Sequence, residues 1–190
     1  MNWKRALMAP AVALPVIALF AWGLTRDPGY IESPLPGRDA PGFALEVFAP
    51  GEAPIARTPG DTIRLDSLRG QIVVVNFWAS WCLGCRDEHE DLTRGALRYA
   101  DSPVKFVGVL YMDQQPSALK WIKDMGGQSY PTVDDPRSRT AIDYGLYGVP
   151  ETFILDANGR VAHKQTGPIT TEVLTRIVDS LLATRAAEAK

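Results

Sequence analysis

The chain has 190 residues, 46% of them hydrophobic, and its 20 basic and 22 acidic side chains leave a net charge of −2. That is enough chain for one domain of ordinary size with a full core, and with no basic stripe, repeat or low-complexity tract it excludes a nucleic-acid binder. Only two cysteines are present, Cys82 and Cys85, so the fold does not depend on a disulfide framework.

The N-terminal segment is set apart by its charge. Lys4 and Arg5 precede Ala6–Leu24, 19 residues without a charged side chain, which as a helix would run about 28 Å against the ~30 Å of bilayer hydrocarbon. A cleaved signal peptide has a shorter apolar run ending in a small-x-small site, and Phe20-Ala21-Trp22-Gly23-Leu24 offers a poor one. Residues 1–25 are therefore read as an uncleaved membrane anchor, with Pro10 and Pro15 tolerated in lipid and the basic flank in the cytoplasm. Pro28, Gly29, Pro34, Pro36 and Gly37 make residues 26–38 an extended linker, and the folded domain spans 39–190. Without Lys4, Arg5 and Arg26 the remaining chain holds 17 basic and 22 acidic side chains, net −5, which suits an exported soluble domain.

Within that domain, Phe43–Phe48 and Thr62–Leu65 read as strands joined by a Pro/Gly-rich connection. Ile72–Phe77 is β-branched and nearly all apolar, the pattern of a strand buried on both faces. A helix follows over 86–100, with Leu92, Ala96, Leu97 and Ala100 on one face. Val104–Tyr111 is a second buried strand, and 116–125 a helix with proline in its first turn and Gly126-Gly127 as its stop. Thr152–Leu155 and Val161–Lys164 flank Asp156-Ala157-Asn158-Gly159-Arg160, a hairpin signal because Asn and Gly accept positive φ. The last helix, 170–187, lines up Val173, Leu174, Ile177, Val178, Leu181 and Leu182. The order βαβα points to a parallel core.

Cys82 and Cys85 lie at the junction of the buried strand and the first helix. Unpaired N–H groups and the positive dipole end there favour thiolate over thiol, and in such settings the thiol pKa falls from about 8.5 toward roughly 3.5–7.5. A purely structural bridge would close so short a ring that it stabilises weakly. A metal site is the other reading, since Cys82, Cys85 and His89 supply three ligands. Structural zinc needs a fourth, there is no second cysteine pair, and His163 lies far along the chain. Redox exchange without metal or cofactor is the expectation.

Trp-Cys-x-x-Cys after a hydrophobic strand, with Val149-Pro150 before another strand, resembles the thioredoxin superfamily over residues 39–186. The Asp39-Ala40-Pro41-Gly42-Phe43 opening, the membrane tether and an extra segment between Gln114 and Asp143 are similar to the membrane-anchored bacterial thiol reductases of the TlpA/ResA-like group. Tyr144-Gly145-Leu146-Tyr147-Gly148-Val149-Pro150-Glu151-Thr152-Phe153 and Cys85-Arg86-Asp87-Glu88-His89 resemble the cytochrome c maturation branch (CcmG or DsbE). The fold implied is α/β: a thioredoxin-like central mixed sheet flanked by helices, with an N-terminal strand extension and a central insertion, preceded by one transmembrane helix.

The resemblance also implies roles. Cys82 is the exposed nucleophile and Cys85 the buried resolving thiol of a protein-disulfide reductase. Pro150 matches a cis-proline facing the cysteines, and with Val149 and Trp81 it lines the substrate groove. Glu88 and Glu151 match acids near the disulfide and are expected to tune thiol pKa and partner choice. Trp78 is read as core, and Tyr144 and Tyr147 as either groove or ordinary packing. The implied partners are apocytochrome c or its maturation apparatus, a membrane electron donor of CcdA or DsbD type, and the bacterial inner membrane, with the catalytic domain in the periplasm. One departure is Leu83-Gly84 between the cysteines, where the branch often has proline or threonine; Gly84 costs on the order of 1 kcal/mol in a helical position. Alternatives are a general TlpA/ResA-like reductase, a metal chaperone using the cysteine pair, and a haem-protein docking module. A peroxiredoxin would share the strand order, but Trp78–Trp81 lacks the Pro/Thr arrangement its peroxidatic cysteine needs.

Overall fold

The structure, a computed structural model, describes residues 3–24, 34–52 and 57–188, and the chain divides into two units at residues 32 and 33. The first unit is helix α1 (Trp3–Leu24). Its described side chains are exposed, among them Leu14, Ile17, Leu19, Phe20 and Trp22. Among the described residues no helix is both long and apolar enough to cross a membrane. The side chains of Lys4 and Arg5, and most of the 26–38 linker, lie outside the described residues.

The second unit is built on one seven-stranded mixed sheet. In chain order its elements are β1 (Ala44–Ala49), β2 (Thr62–Arg64), a 3-10 turn (Leu65–Leu68), β3 (Ile72–Trp78), α2 (Leu83–Arg98), β4 (Val104–Leu110), α3 (Gln115–Asp124), β5 (Thr132–Asp134), α4 (Arg139–Asp143), β6 (Glu151–Leu155), β7 (Val161–Thr166) and α5 (Thr171–Glu188). The strands lie in the order β2-β1-β5-β4-β3-β6-β7. The parallel pairs are β3 with β4 and β4 with β5; the rest run antiparallel.

All seven residues of β3 are buried, as its nearly all apolar run demands of a strand covered on both faces. Val73, Val75 and Phe77 point to one face, where Phe43, Leu65, Tyr144, Phe153 and Val161 pack. Ile72 and Val74 point to the other, beneath Leu92 and Ala96 of α2 and Leu174 and Val178 of α5. Helices α2 and α5 pack closely because Gly95 stands between them: a Cβ there would come within 2.5 Å of Leu174 Cδ2. The hairpin turn is held by Asp156, whose Oδ1 accepts the N–H groups of Asn158 and Arg160 at 2.9 Å each.

Three elements differ from the sequence expectation. Helix α2 starts at Leu83 with Cys82 as its N-cap, rather than at residue 86, so Leu83 and Gly84 form its first turn. Strand β5 and helix α4 lie within the extra segment between Gln114 and Asp143 and have no counterpart in the sequence reading. They are short, three and five residues, and too brief for a periodic pattern to register. Strand β5 nonetheless sits mid-sheet, joining β1 to β4 through Gly108–Leu110.

Candidate active site

Three chain segments meet at one end of the sheet because of strand direction. Strands β3 and β4 run parallel with Trp78 beside Leu110, so the Ala79–Cys82 turn and the Tyr111–Gln114 loop leave side by side. Strand β6 runs antiparallel to β3 with Glu151 opposite Phe77, which brings the preceding Val149-Pro150 to the same end. The Val149–Pro150 peptide bond is cis.

The two cysteines form a disulfide, with Cα atoms 5.3 Å apart. Cys82 Sγ accepts the N–H of Cys85 at 3.0 Å, the N-cap bond that a helix start asks for, so this sulfur sits where unpaired amide dipoles converge. Cys82 keeps 6% of its surface and Cys85 2%; both are largely covered, Cys85 more completely. Gly84 has a spatial reason: a Cβ would lie 3.1 Å from Pro150 Cδ and 3.3 Å from Pro168 Cγ. Its missing side chain lets the cis-proline turn close onto the cysteine turn, an effect the helix-propensity argument does not capture.

Around this core the surface is aromatic and apolar. Trp81 is 58% exposed and Leu83 82%. The indole N–H of Trp81 donates to the Met112 carbonyl at 3.2 Å, and Met112 itself holds a left-handed φ of 46°. Asp113 Oδ2 accepts the Ser80 N–H at 2.7 Å, which ties the β4–α3 loop to the cysteine turn. Val149 packs partly buried against the apolar cluster that includes Trp78, Cys82 and Cys85. Among the described residues neither its N–H nor its carbonyl is hydrogen-bonded, the arrangement an added strand requires.

The two acids lie on opposite faces of the sheet. Glu88 is buried on the α2 face: Oε1 accepts from Asn76 Nδ2 at 2.7 Å and Oε2 from the Ile169 N–H at 3.0 Å, while Asn76 also donates to Thr152 Oγ1 at 3.0 Å. Burial pushes the Glu88 carboxyl up from 4.5 to about 7 against the opposing pull of those two bonds. It shares with Cys85, Trp78, His89 and Trp121 a narrow gap with no room for a water molecule. Because α2 starts at Leu83, its first turn holds no acid, which removes the helix dipole as the reason for Glu88. Glu151 follows Phe77 and Phe153 onto the other face, fully enclosed. There Oε2 pairs with Lys164 Nζ at 2.9 Å and Oε1 accepts the Tyr147 N–H at 3.2 Å.

His89 is committed elsewhere. Its Nε2–H donates to the Gly127 carbonyl at 2.7 Å, its ring meets Trp121 edge-on, and burial lowers its pKa. His163 is in β7 opposite Ile154. Among the described residues no three His, Cys, Asp or Glu side chains are grouped to hold a metal. Trp78 is core, packed on Trp121 at 4.8 Å between ring centroids. Tyr144 is also core, against Phe77 and Phe153, and lines no groove. Tyr147 is 59% exposed. The sequence reading missed Asn76, Asp113 and Lys164. Asn76 was visible as the one polar residue in an apolar strand; Asp113 and Lys164 carried no local signal.

The model of the AhpC/TSA family matches residues 36–164. The chain is 38% identical over 180 residues to the thiol:disulfide interchange protein DsbE of Allochromatium vinosum, covering 95% of this chain and 93% of the relative. It is 35% identical to the thiol:disulfide interchange protein HelX of Rhodobacter capsulatus over 83% of both chains. Among solved structures, a thiol:disulfide interchange protein of the thioredoxin family from Chlorobium tepidum TLS superposes with a TM-score of 0.63 at 28% identity, covering 80% of this chain and 99% of that one.

Proposed function

The chain belongs to the AhpC/TSA family and, within it, to the DsbE thiol:disulfide interchange proteins, and on that footing we propose that it reduces the disulfide of apocytochrome c during cytochrome c maturation. The observation that carries the reading is the pairing of Cys82, at the N-cap of α2, with the unpaired backbone of Val149 beside a cis-proline. In the reduced enzyme the Cys82 thiolate attacks one sulfur of the substrate disulfide. A mixed disulfide forms, the substrate S–S bond breaks, and one substrate thiol leaves. Cys85, deprotonated, then attacks Cys82 Sγ, which releases the second substrate thiol and closes the 82–85 bond; two electrons have passed to the substrate. The short spacing makes this second step intramolecular.

Val149 and Pro150 present the backbone edge, and Trp81 covers the approach to the sulfurs. Glu88 sets the ionisation of Cys85 through the gap they share, whereas Glu151, on the opposite face, acts through the Tyr147–Pro150 segment. A membrane electron donor of CcdA or DsbD type returns the pair to dithiol. Residues 1–25 serve as the inner-membrane anchor, residues 26–38 as the linker, and 39–190 as the periplasmic domain. Supporting the anchor are the charge-free run 6–24 and the exposed apolar side chains of α1.

The test is Cys85→Ser in the full-length protein. Incubated with a disulfide-closed apocytochrome c, the variant is expected to accumulate a covalent adduct through Cys82 that reducing agent dissolves. Absence of any adduct, or an adduct of equal yield with Cys82→Ser in place of Cys85→Ser, would defeat the assignment.

A further inference from the structure

We propose that Lys164 is a positioning residue for the substrate groove: its ammonium, paired to Glu151 and laid against the Tyr147 ring, fixes the Tyr147–Pro150 segment in the shape that a substrate strand lies along. The proposal rests on the thiol-exchange reading above and adds a residue to it.

Glu151 has no exposed surface and sits on the aromatic face of the sheet. A carboxylate so enclosed requires a cation or a proton. Among the described residues its one ion pair is to Lys164, 2.9 Å away and itself only 6% exposed in its side chain. The same Nζ lies 5.1 Å from the centre of the Tyr147 ring and 5.3 Å from that of Phe153, within reach of a cation–π contact. One ammonium therefore touches a core ring, a buried acid and an exposed ring.

The contacts of Lys164 reach both sides of the cis-proline, Tyr147 before it and Glu151 and Phe153 after it. Glu151 Oε1 holds the Tyr147 N–H, and the Pro150 carbonyl accepts the Gly167 N–H at 2.9 Å. Strand β7 thus grips the segment twice, by the Lys164 side chain and by the backbone beyond its end. Val149, with its free backbone groups, lies between the two grips. A buried ion pair is a poor way to add stability compared with packed apolar side chains. What this pair supplies is a fixed conformation for Tyr147 and Val149 before substrate arrives, which spares a binding peptide the cost of ordering them.

The test uses the reduced full-length protein and a short peptide closed by a Cys-x-x-Cys disulfide. Lys164→Met keeps the apolar stem and removes the charge; KM for the peptide is expected to rise about tenfold while kcat stays within about twofold, the signature of lost binding preorganisation. Lys164→Arg, which retains a cation, should restore most of the affinity. Should Lys164→Met fail to fold, the double variant Lys164→Met with Glu151→Gln leaves no unpaired charge and is read by the same split. An unchanged KM overturns the role of Lys164, and so does a fall in kcat at constant KM, which would place the ammonium in the thiol chemistry. Wild-type protein unable to reduce the peptide would overturn thiol exchange itself, and the role of Lys164 with it.

Discussion

Replacing Glu88 with glutamine is expected to move the stability difference from wild type progressively in the variant's favour as pH rises from about 4.5 to above 7. The native Glu88 carboxyl titrates near 7 against 4.5 in the unfolded chain, chiefly because burial disfavours its charge. The folded chain therefore holds a proton that the unfolded chain has already released. Stability from this group is greatest below the unfolded pKa and is lost as pH climbs through the native one, by about 3 kcal/mol in full. Glutamine has nothing to titrate. Its amide keeps one acceptor for the two donors, Asn76 Nδ2 and the Ile169 N–H, so the variant gives up a hydrogen bond at every pH, a loss of about 1–3 kcal/mol. Urea unfolding of both proteins from pH 4.5 to 8.5 isolates the titrating part as a difference that changes with pH, since the shifts at His89 and Asp135 are common to both. A difference that stays constant over that range would rule out a protonated Glu88.

Replacing Phe153 with alanine is expected to be among the most damaging single changes in the domain. The ring is wholly buried at the centre of an aromatic group, 5.0 Å from Tyr144 and 5.8 Å from Phe77 between centroids, with the Lys164 ammonium above it. Truncating a buried phenylalanine costs about 3–5 kcal/mol in transfer and cavity energy. For a domain of this size each kcal/mol lowers Tm by about 2–4 °C, so calorimetry should record a fall of order 10 °C. A fall of a degree or two would mean that the aromatic face collapses around the gap.

Long elements with one dominant pattern were readable from the chain. The nearly all apolar run Ile72–Phe77 of β3, the Asn158-Gly159 turn signal between β6 and β7, and the apolar stripe of α5 each specified an element with ends within a few residues of those observed. So was the cysteine pair, since Cys82 and Cys85 at a strand–helix junction carry a chemistry of their own. The remainder depended on tertiary contact. The start of α2 was hidden by Gly84, a weak helix former whose presence is explained by Pro150 and Pro168 across space. The acids at 88 and 151 stand in similar motifs near the site, and only the register of Phe77 with Glu151 reveals that the sheet separates them. Lys164 sits in a polar edge strand, and nothing local distinguishes a solvated lysine from one that is enclosed.

Strand β5 carries one last implication. It meets β4 at only three positions, Gly108–Leu110, yet every ladder connection between the β1–β2 hairpin and the rest of the sheet passes through it. Few cooperative bonds therefore guard that seam, and openings that release the hairpin need not disturb the strands behind the cysteines. Amide protons of β1 should exchange with deuterium sooner than those of β3 and β6, leaving the redox end of the molecule intact while its far margin breathes.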